Sequence, residues 1–303
     1  MGGGSWTRDT FVSYSTSKCR SVNVDGTLKS DYTAQQLYTS SCLNEDLDPR
    51  KFTVRECCDS NEHPNTIPVI LAIDVTGSMG KSSAEVAKKL NVIMTSLYEQ
   101  VKDVEFCIMA IGDLSYDRAP IQMSQFESDI RIAEHLDKVY FEGGGGGNDY
   151  ESYTAAWLMG AHYTKLDCWN RGKKGIIITI GDEYLNPYLP KGALERVTGK
   201  KFQSDIETAK LYDEVKDKYD VYHINITDTG SGRNSMNAKT FADLIGKEHV
   251  FNNTVNAIAD TITNIVIDHS HSNSNSNITF DTEEDVTSSN SESVINTSEM
   301  ISW

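Results

Sequence analysis

The 303-residue sequence contains no apolar stretch of about 18 residues, so no segment is long enough to cross a bilayer as a helix. Its N-terminus, "MGGGSWTRDT", lacks the apolar core of a secretory leader. It nearly fits the N-myristoylation pattern but carries Trp6 where that pattern requires serine or threonine. No membrane attachment and a cytoplasmic location are therefore expected. Basic residues are also scarce, with 28 Lys+Arg against 44 Asp+Glu and a net charge of -16. Such a balance argues against a nucleic-acid or anionic-membrane surface and suits a metal ion or a basic partner. The six cysteines (Cys19, Cys42, Cys57, Cys58, Cys107 and Cys168) include no C-x-x-C pair and no Cys/His spacing for zinc. They read as free thiols, with Cys107 inside a strand pattern and Cys168 near a helix end, where buried thiols are common.

Three regions differ in composition. Residues 1–62 form a polar arm with short apolar clusters and no sustained period. Such an arm either packs on the main domain or docks elsewhere, and its sequence is compatible with both. Residues 271–303 carry six acidic residues and no lysine or arginine in a Ser/Asn-rich background, the composition of a disordered, solvated tail. Between them, residues 66–270 alternate strand and helix patterns. "IPVILAIDV" (67–75) reads as a strand buried on both faces, and "VEFCIMAIGD" (104–113), "KKGIIITIGDEY" (173–184), which holds the most obvious central strand, and "DVYHINIT" (220–227) read as further strands. "APIQMSQF" (119–126) follows the second strand through a short link that suits an antiparallel edge, and "VFNN" is a last short strand. Helices are predicted over 82–101, 129–141, 151–167, 204–219 (opened by a Ser204/Glu207 capping box), 238–249 and 255–270. This alternation predicts an α/β fold: a mostly parallel sheet with one antiparallel edge strand and helices on both faces. Ligands of such sheets bind beyond the carboxyl ends of the strands.

The stretch "IDVTGSMGKSS" (73–83) stands at such an end. Gly80-Lys81-Ser82 supplies the close of a phosphate-binding loop, but that loop needs a glycine five residues before Gly80, where Val75 stands, and Gly77 is too near. The alternative uses oxygens. Asp74, Thr76 and Ser78 lie at alternate positions, one carboxylate and two hydroxyls, which are hard ligands for Mg²⁺ or Mn²⁺. Taken singly, each has a structural explanation as a strand-end carboxylate or a helix cap. Two further polar loops, "GGGGGNDYES" and "GDEY", converge on the same end if the sheet is wound as proposed. The histidines His135, His162 and His223 fall within helix or strand patterns and read as packing or surface residues.

With its buried strand before and amphipathic helix after, "DVTGSM" resembles the first metal-binding motif of von Willebrand factor A (vWA) domains, D-x-[ST]-G-S-M. The order of elements over 66–270 is similar to that of the family. The resemblance implies a three-layer Rossmann-like vWA fold with a metal-ion-dependent adhesion site. It implies metal ligands at Asp74, Thr76 and Ser78, and at Asp182, which closes the Ile-rich strand. The family's loop threonine falls on Asn148, with Asp149 as the competing position. Glu183 has no counterpart.

A site of two carboxylates, two hydroxyls and an amide leaves a position open on an octahedral cation, which an Asp or Glu side chain of a protein partner can complete. The expected function is metal-dependent protein binding without catalysis, as an adaptor or scaffold of a bacterial or bacteriophage assembly, in the latter case in the host cytoplasm. Two other functions remain open. One is a metal-dependent hydrolase using Asp74, Asp182 and Glu183. The other is an RNA-associated relative, which the acidic charge disfavours.

Overall fold

The computed structural model describes residues 4–144, 150–229 and 234–275. Six strands make the central sheet: β1 (Ile67–Asp74), β2 (Val104–Ile111), β3 (Ile121–Glu127), β4 (Gly175–Gly181), β5 (Tyr219–Ile226) and β6 (Val250–Asn253). Their spatial order is β6-β5-β4-β1-β2-β3. All neighbours are parallel except β2 and β3, which pair antiparallel with a register shift between Cys107 and Met109. β1 is central and faces apolar layers on both sides, so its side chains alternate between them: Val69, Leu71 and Ile73 enter one core, Ile70 and Ala72 the other. The predicted α/β architecture with its antiparallel edge is therefore present.

Eight helices of eight or more residues flank the sheet among the described residues: α1 (Arg8–Ser17), α2 (Gly80–Gln100), α3 (Arg131–Lys138), α4 (Thr154–His162), α5 (Lys191–Thr198), α6 (Thr208–Val215), α7 (Asn234–Ile245) and α8 (Ile258–Asn275). Helices α2, α3 and α8 build the first core, and α4 to α7 build the second. No helix among them is long and apolar enough to cross a membrane.

Residues 4–62 lie against the domain. Trp6, Phe11, Leu28, Leu37 and Leu47 are buried in the first core. The Trp6 indole N–H donates to Asn91 Oδ1 on α2 at 3.0 Å. Arg20 and Tyr14 both reach the buried carboxylate of Asp137 on α3, each at 2.6 Å. The helix α1 breaks the expectation of an arm without periodic structure.

Two predicted helices are corrected. The segment 151–167 forms α4 only to His162. Residues Thr164–Leu166 instead pair as a parallel strand with Arg55–Cys57 of the arm, and Thr164 Oγ1 donates back to Gly160 O at 2.6 Å. The partner strand lies far away in sequence, so the local apolar pattern could not show it. The segment 204–219 starts its helix at Thr208 with Glu207 as N-cap. Ser204 donates to Asp205 O instead of capping, while Ile206–Glu207 pairs antiparallel with Tyr188–Leu189. Helix α5 lies outside the predicted helices, although Pro190 before it and Gly199 after it, at φ 70°, are ordinary start and stop residues. Of the tail expected over 271–303, residues 271–275 instead continue helix α8 to Asn275, and residues 276–303 lie outside the described residues.

Candidate metal-binding site

The winding of the sheet determines what meets at its carboxyl end. β1 and β4 are neighbours, with Ile73 opposite Ile180, so Asp74, which ends β1, and Asp182, which follows β4, end up side by side. Asp74 is fully buried. Its Oδ1 accepts from the Thr76 N–H at 2.8 Å and the Thr76 hydroxyl at 2.6 Å, a local turn that bends the chain away from the strand. Its Oδ2 accepts from the Tyr153 hydroxyl at 2.9 Å. Ser78 is exposed on the rim and donates to Asp182 Oδ1 at 3.1 Å, which ties the first loop to the third. Asp182 is held from behind by Asn237, whose amide donates to its carbonyl at 2.5 Å. Asp74, Thr76, Ser78 and Asp182 are thus brought together, while Asn148 and Asp149 lie outside the described residues.

Two glycines permit this closeness. The start of the glycine run crosses the first loop: Gly143 N–H donates to Val75 O at 3.2 Å and Gly77 N–H to Gly144 O. A Cβ on Gly77 would stand 3.1 Å from the Gly143 and Gly144 carbonyls. Gly181 leaves the space that the Tyr153 phenol occupies, and a side chain there would collide with it. Lys81 is exposed in the first turn of α2, consistent with rejection of the phosphate loop.

Burial drives the Asp74 carboxyl well above the usual carboxylate range. The neighbouring Asp182 charge adds to this, and the hydrogen bonds from Thr76 and Tyr153 oppose it. Nearby Glu151 is raised further, first by burial and then by Asp74, Asp117, Asp113 and Glu183. Among the described residues no lysine, arginine or histidine pairs with Asp74.

The donor set of carboxylate and hydroxyl oxygens fits a hard divalent cation, and a buried carboxylate without a cationic partner is the setting that such an ion relieves. Among the described residues no group of three His, Cys, Asp or Glu is arranged to hold a metal, so the hydroxyls of Thr76 and Ser78 are essential to the fit. Sequence reasoning missed Tyr153, Asn237 and Glu151. The only hint was the polar run "NDYESY" (148–153) at the mouth of a buried helix, which holds Glu151 and Tyr153; nothing in the sequence pointed to Asn237.

No family model matches the chain, and no curated protein matches it in sequence. Among solved structures, the pilus adhesin SpaC from Lactobacillus rhamnosus GG in its open conformation matches 70% of this chain at 14% identity with a TM-score of 0.48. The match takes in 30% of SpaC, so the chain spans less than a third of that protein's length. Proximal thread matrix protein 1 from the mussel byssus matches 70% of this chain and 49% of its own at 16% identity, TM-score 0.43. The vWF domain of the type V pili tip protein Mfa5 from Porphyromonas gingivalis matches 73% of this chain and 98% of its own at 13% identity, TM-score 0.42. The expected cytoplasmic location is corrected by these neighbours. A pilus adhesin and a pilus tip protein stand among them, so an N-terminus without an apolar core does not place the chain in the cytoplasm. By its sheet order and layering the chain has a Rossmann-like α/β fold, a mostly parallel sheet with helices on both faces, as the resemblance implied.

Proposed function

We propose that the chain is a metal-dependent protein-binding module, acting as an adaptor or scaffold. Asp74, Thr76, Ser78 and Asp182 hold Mg²⁺ or Mn²⁺, with Asn148 or Asp149 contributing from the glycine loop. The ion supplies an open coordination position that an Asp or Glu side chain of a partner fills. The chain's own residues orient this arrangement. Thr76 and Tyr153 fix the Asp74 carboxyl, Asn237 anchors the Asp182 backbone, and exposed Ser78 sets the rim where the partner arrives. The observation that carries this reading is the Ser78–Asp182 side-chain bond, which joins the ends of two non-consecutive strands beside buried Asp74.

Calorimetric titration of the chelator-treated protein with MgCl₂ or MnCl₂ tests it. Saturable binding in the wild type and none in Asp74→Ala is the expected result, and a wild type that takes up neither ion ends the proposal. Where the ion binds, an immobilised chain should retain an acidic partner with Mg²⁺ and release it with EDTA. Release of phosphate from generic phosphoesters would instead favour the hydrolase built on Asp74, Asp182 and Glu183.

A further inference from the structure

A pocket of about 230 Å³ opens beside the metal-site residues, with Asp113, Tyr150, Glu151, Ser152, Asn186 and Tyr188 in its wall. Its register is set by a short parallel ladder, Tyr150 opposite Tyr184 and Glu151 opposite Leu185. Side chains alternate along a strand, so this ladder turns Tyr150 outward at 44% exposure and Glu151 inward at 5%. Tyr188 is 46% exposed across the opening.

Most polar groups of the wall are committed to the frame. Ser152 Oγ accepts from the Leu114 N–H at 3.0 Å. The Asn186 amide accepts from the Thr154 N–H at 3.2 Å and donates to Thr154 Oγ1 at 2.6 Å and to Tyr188 O at 3.2 Å. Glu151 differs: among the described residues its buried Oε2 has no hydrogen-bond partner. A buried acceptor left unmade costs free energy, and native structures keep one where a ligand satisfies it. The charges that weigh most on Glu151, those of Asp74, Asp117, Asp113 and Glu183, are all negative. The pocket therefore has a strong negative potential, an unused carboxylate oxygen at its base and two aromatic rings at its mouth. A small metal ion gains nothing from the rings. A guanidinium or ammonium on an aliphatic stem uses all three features, the rings through cation–π and apolar contact.

We propose that this pocket receives an arginine or lysine side chain of a protein partner, with its N–H donating to Glu151 Oε2 and its stem lying against Tyr150 and Tyr188. This contact is separate from the metal proposal and requires no ion.

The test uses the full ¹⁵N-labelled chain in EDTA, titrated with N-acetyl-arginine amide or N-acetyl-lysine amide and followed by amide chemical shifts. Saturable shifts at Tyr150–Ser152, Asn186, Tyr188 and Leu189 are expected. Affinity should fall about tenfold in Glu151→Gln and by a smaller factor in Tyr188→Ala. The neutral analogues N-acetyl-citrulline amide and N-acetyl-norleucine amide should leave these amides unmoved. Tyr188→Ala changes an exposed side chain, so it keeps the test valid even if Glu151→Gln fails to fold. No shift with either basic amide overturns the proposal, as do equal shifts with the neutral analogues. The same shifts produced by CaCl₂ alone, in chelator-free protein, would mark an ion site and overturn it too. These shifts are read on the wild-type chain in EDTA and Mg²⁺ uptake is read by calorimetry on separate samples, so the two proposals fail separately.

Discussion

The Tyr153 hydroxyl lies 2.9 Å from Asp74 Oδ2 and accepts from the Glu183 N–H at 3.3 Å, so one buried phenol links the carboxyl ends of β1 and β4. It is the fixed point of the site, because Tyr153 comes from the rigid start of α4 and its ring packs edge-on against Phe241. Tyr153→Phe keeps the ring and removes the hydroxyl, and with it both the donor to Asp74 and the acceptor of the Glu183 N–H. It leaves one buried carboxylate oxygen unmade, and unfolding in urea should show a loss of about 1–3 kcal/mol with an unchanged m-value. A loss within error would show that the phenol does not hold Asp74.

Gly181→Ala attacks the same link from the other side. A methyl group at this position meets the Tyr153 hydroxyl and ring edge, both buried and unable to retreat. The cost of such overpacking is about 1–3 kcal/mol or more. Because the phenol is displaced from Asp74, Mg²⁺ affinity measured by calorimetry should fall along with stability. Gly192→Ala, in α5, where an added Cβ meets nothing within 4 Å, serves as the control: it should leave Mg²⁺ affinity unchanged and should not lower stability, since alanine suits a helix better than glycine.

The sheet was legible in the sequence because β1 is a nearly continuous apolar run, the helix after it carries a one-sided stripe, and strand and helix patterns alternate through the domain. Asp74, Thr76, Ser78 and Asp182 were legible because the first three share one short motif and the fourth ends an unmistakable strand. Tyr153, Glu151 and Asn237 were not, since their roles depend on which strand ends become neighbours in space. Thr164–Leu166 departs from its predicted helix for a related reason. Its apolar pattern continues that of α4, yet a ladder with Arg55–Cys57 competes successfully with one more helical turn.

The arm is part of the core by the same physics. Trp6 is 5% exposed, packs on Phe11 with ring centroids 5.5 Å apart, and satisfies buried Asn91 through its indole. Trp6→Ala should cost about 3–5 kcal/mol. Denaturation followed by far-UV circular dichroism and by fluorescence of the remaining tryptophans should still give coincident transitions, because arm and sheet share one cluster. An unchanged midpoint would separate the arm from the domain.

Stability should also depend on pH through the same buried carboxyl. In the metal-free protein Asp74 titrates higher when folded than when unfolded, with burial as the chief cause. Between the two values the folded state binds more protons, so stability falls as pH rises from about 4 towards about 7. Glu151 acts with the same sign. His223 and His135, lowered by burial to about 3 and about 4, act with the opposite sign below their ordinary range. Total stability therefore mixes the contributions, and the informative quantity is the difference between Asp74→Asn and wild type in EDTA. The amide of the variant has no charge to bury, so its advantage over the wild-type carboxyl should widen as pH rises through that window. Saturating MgCl₂ should reverse the ranking at neutral pH by stabilising only the wild type, through preferential binding to the folded state. Thermal melting temperatures of both proteins across the pH series, with EDTA and with MgCl₂, check both halves. A difference that stays flat with pH would mean that the Asp74 carboxyl is not strained by burial, and a wild type that melts unchanged in MgCl₂ would remove the cation from the site.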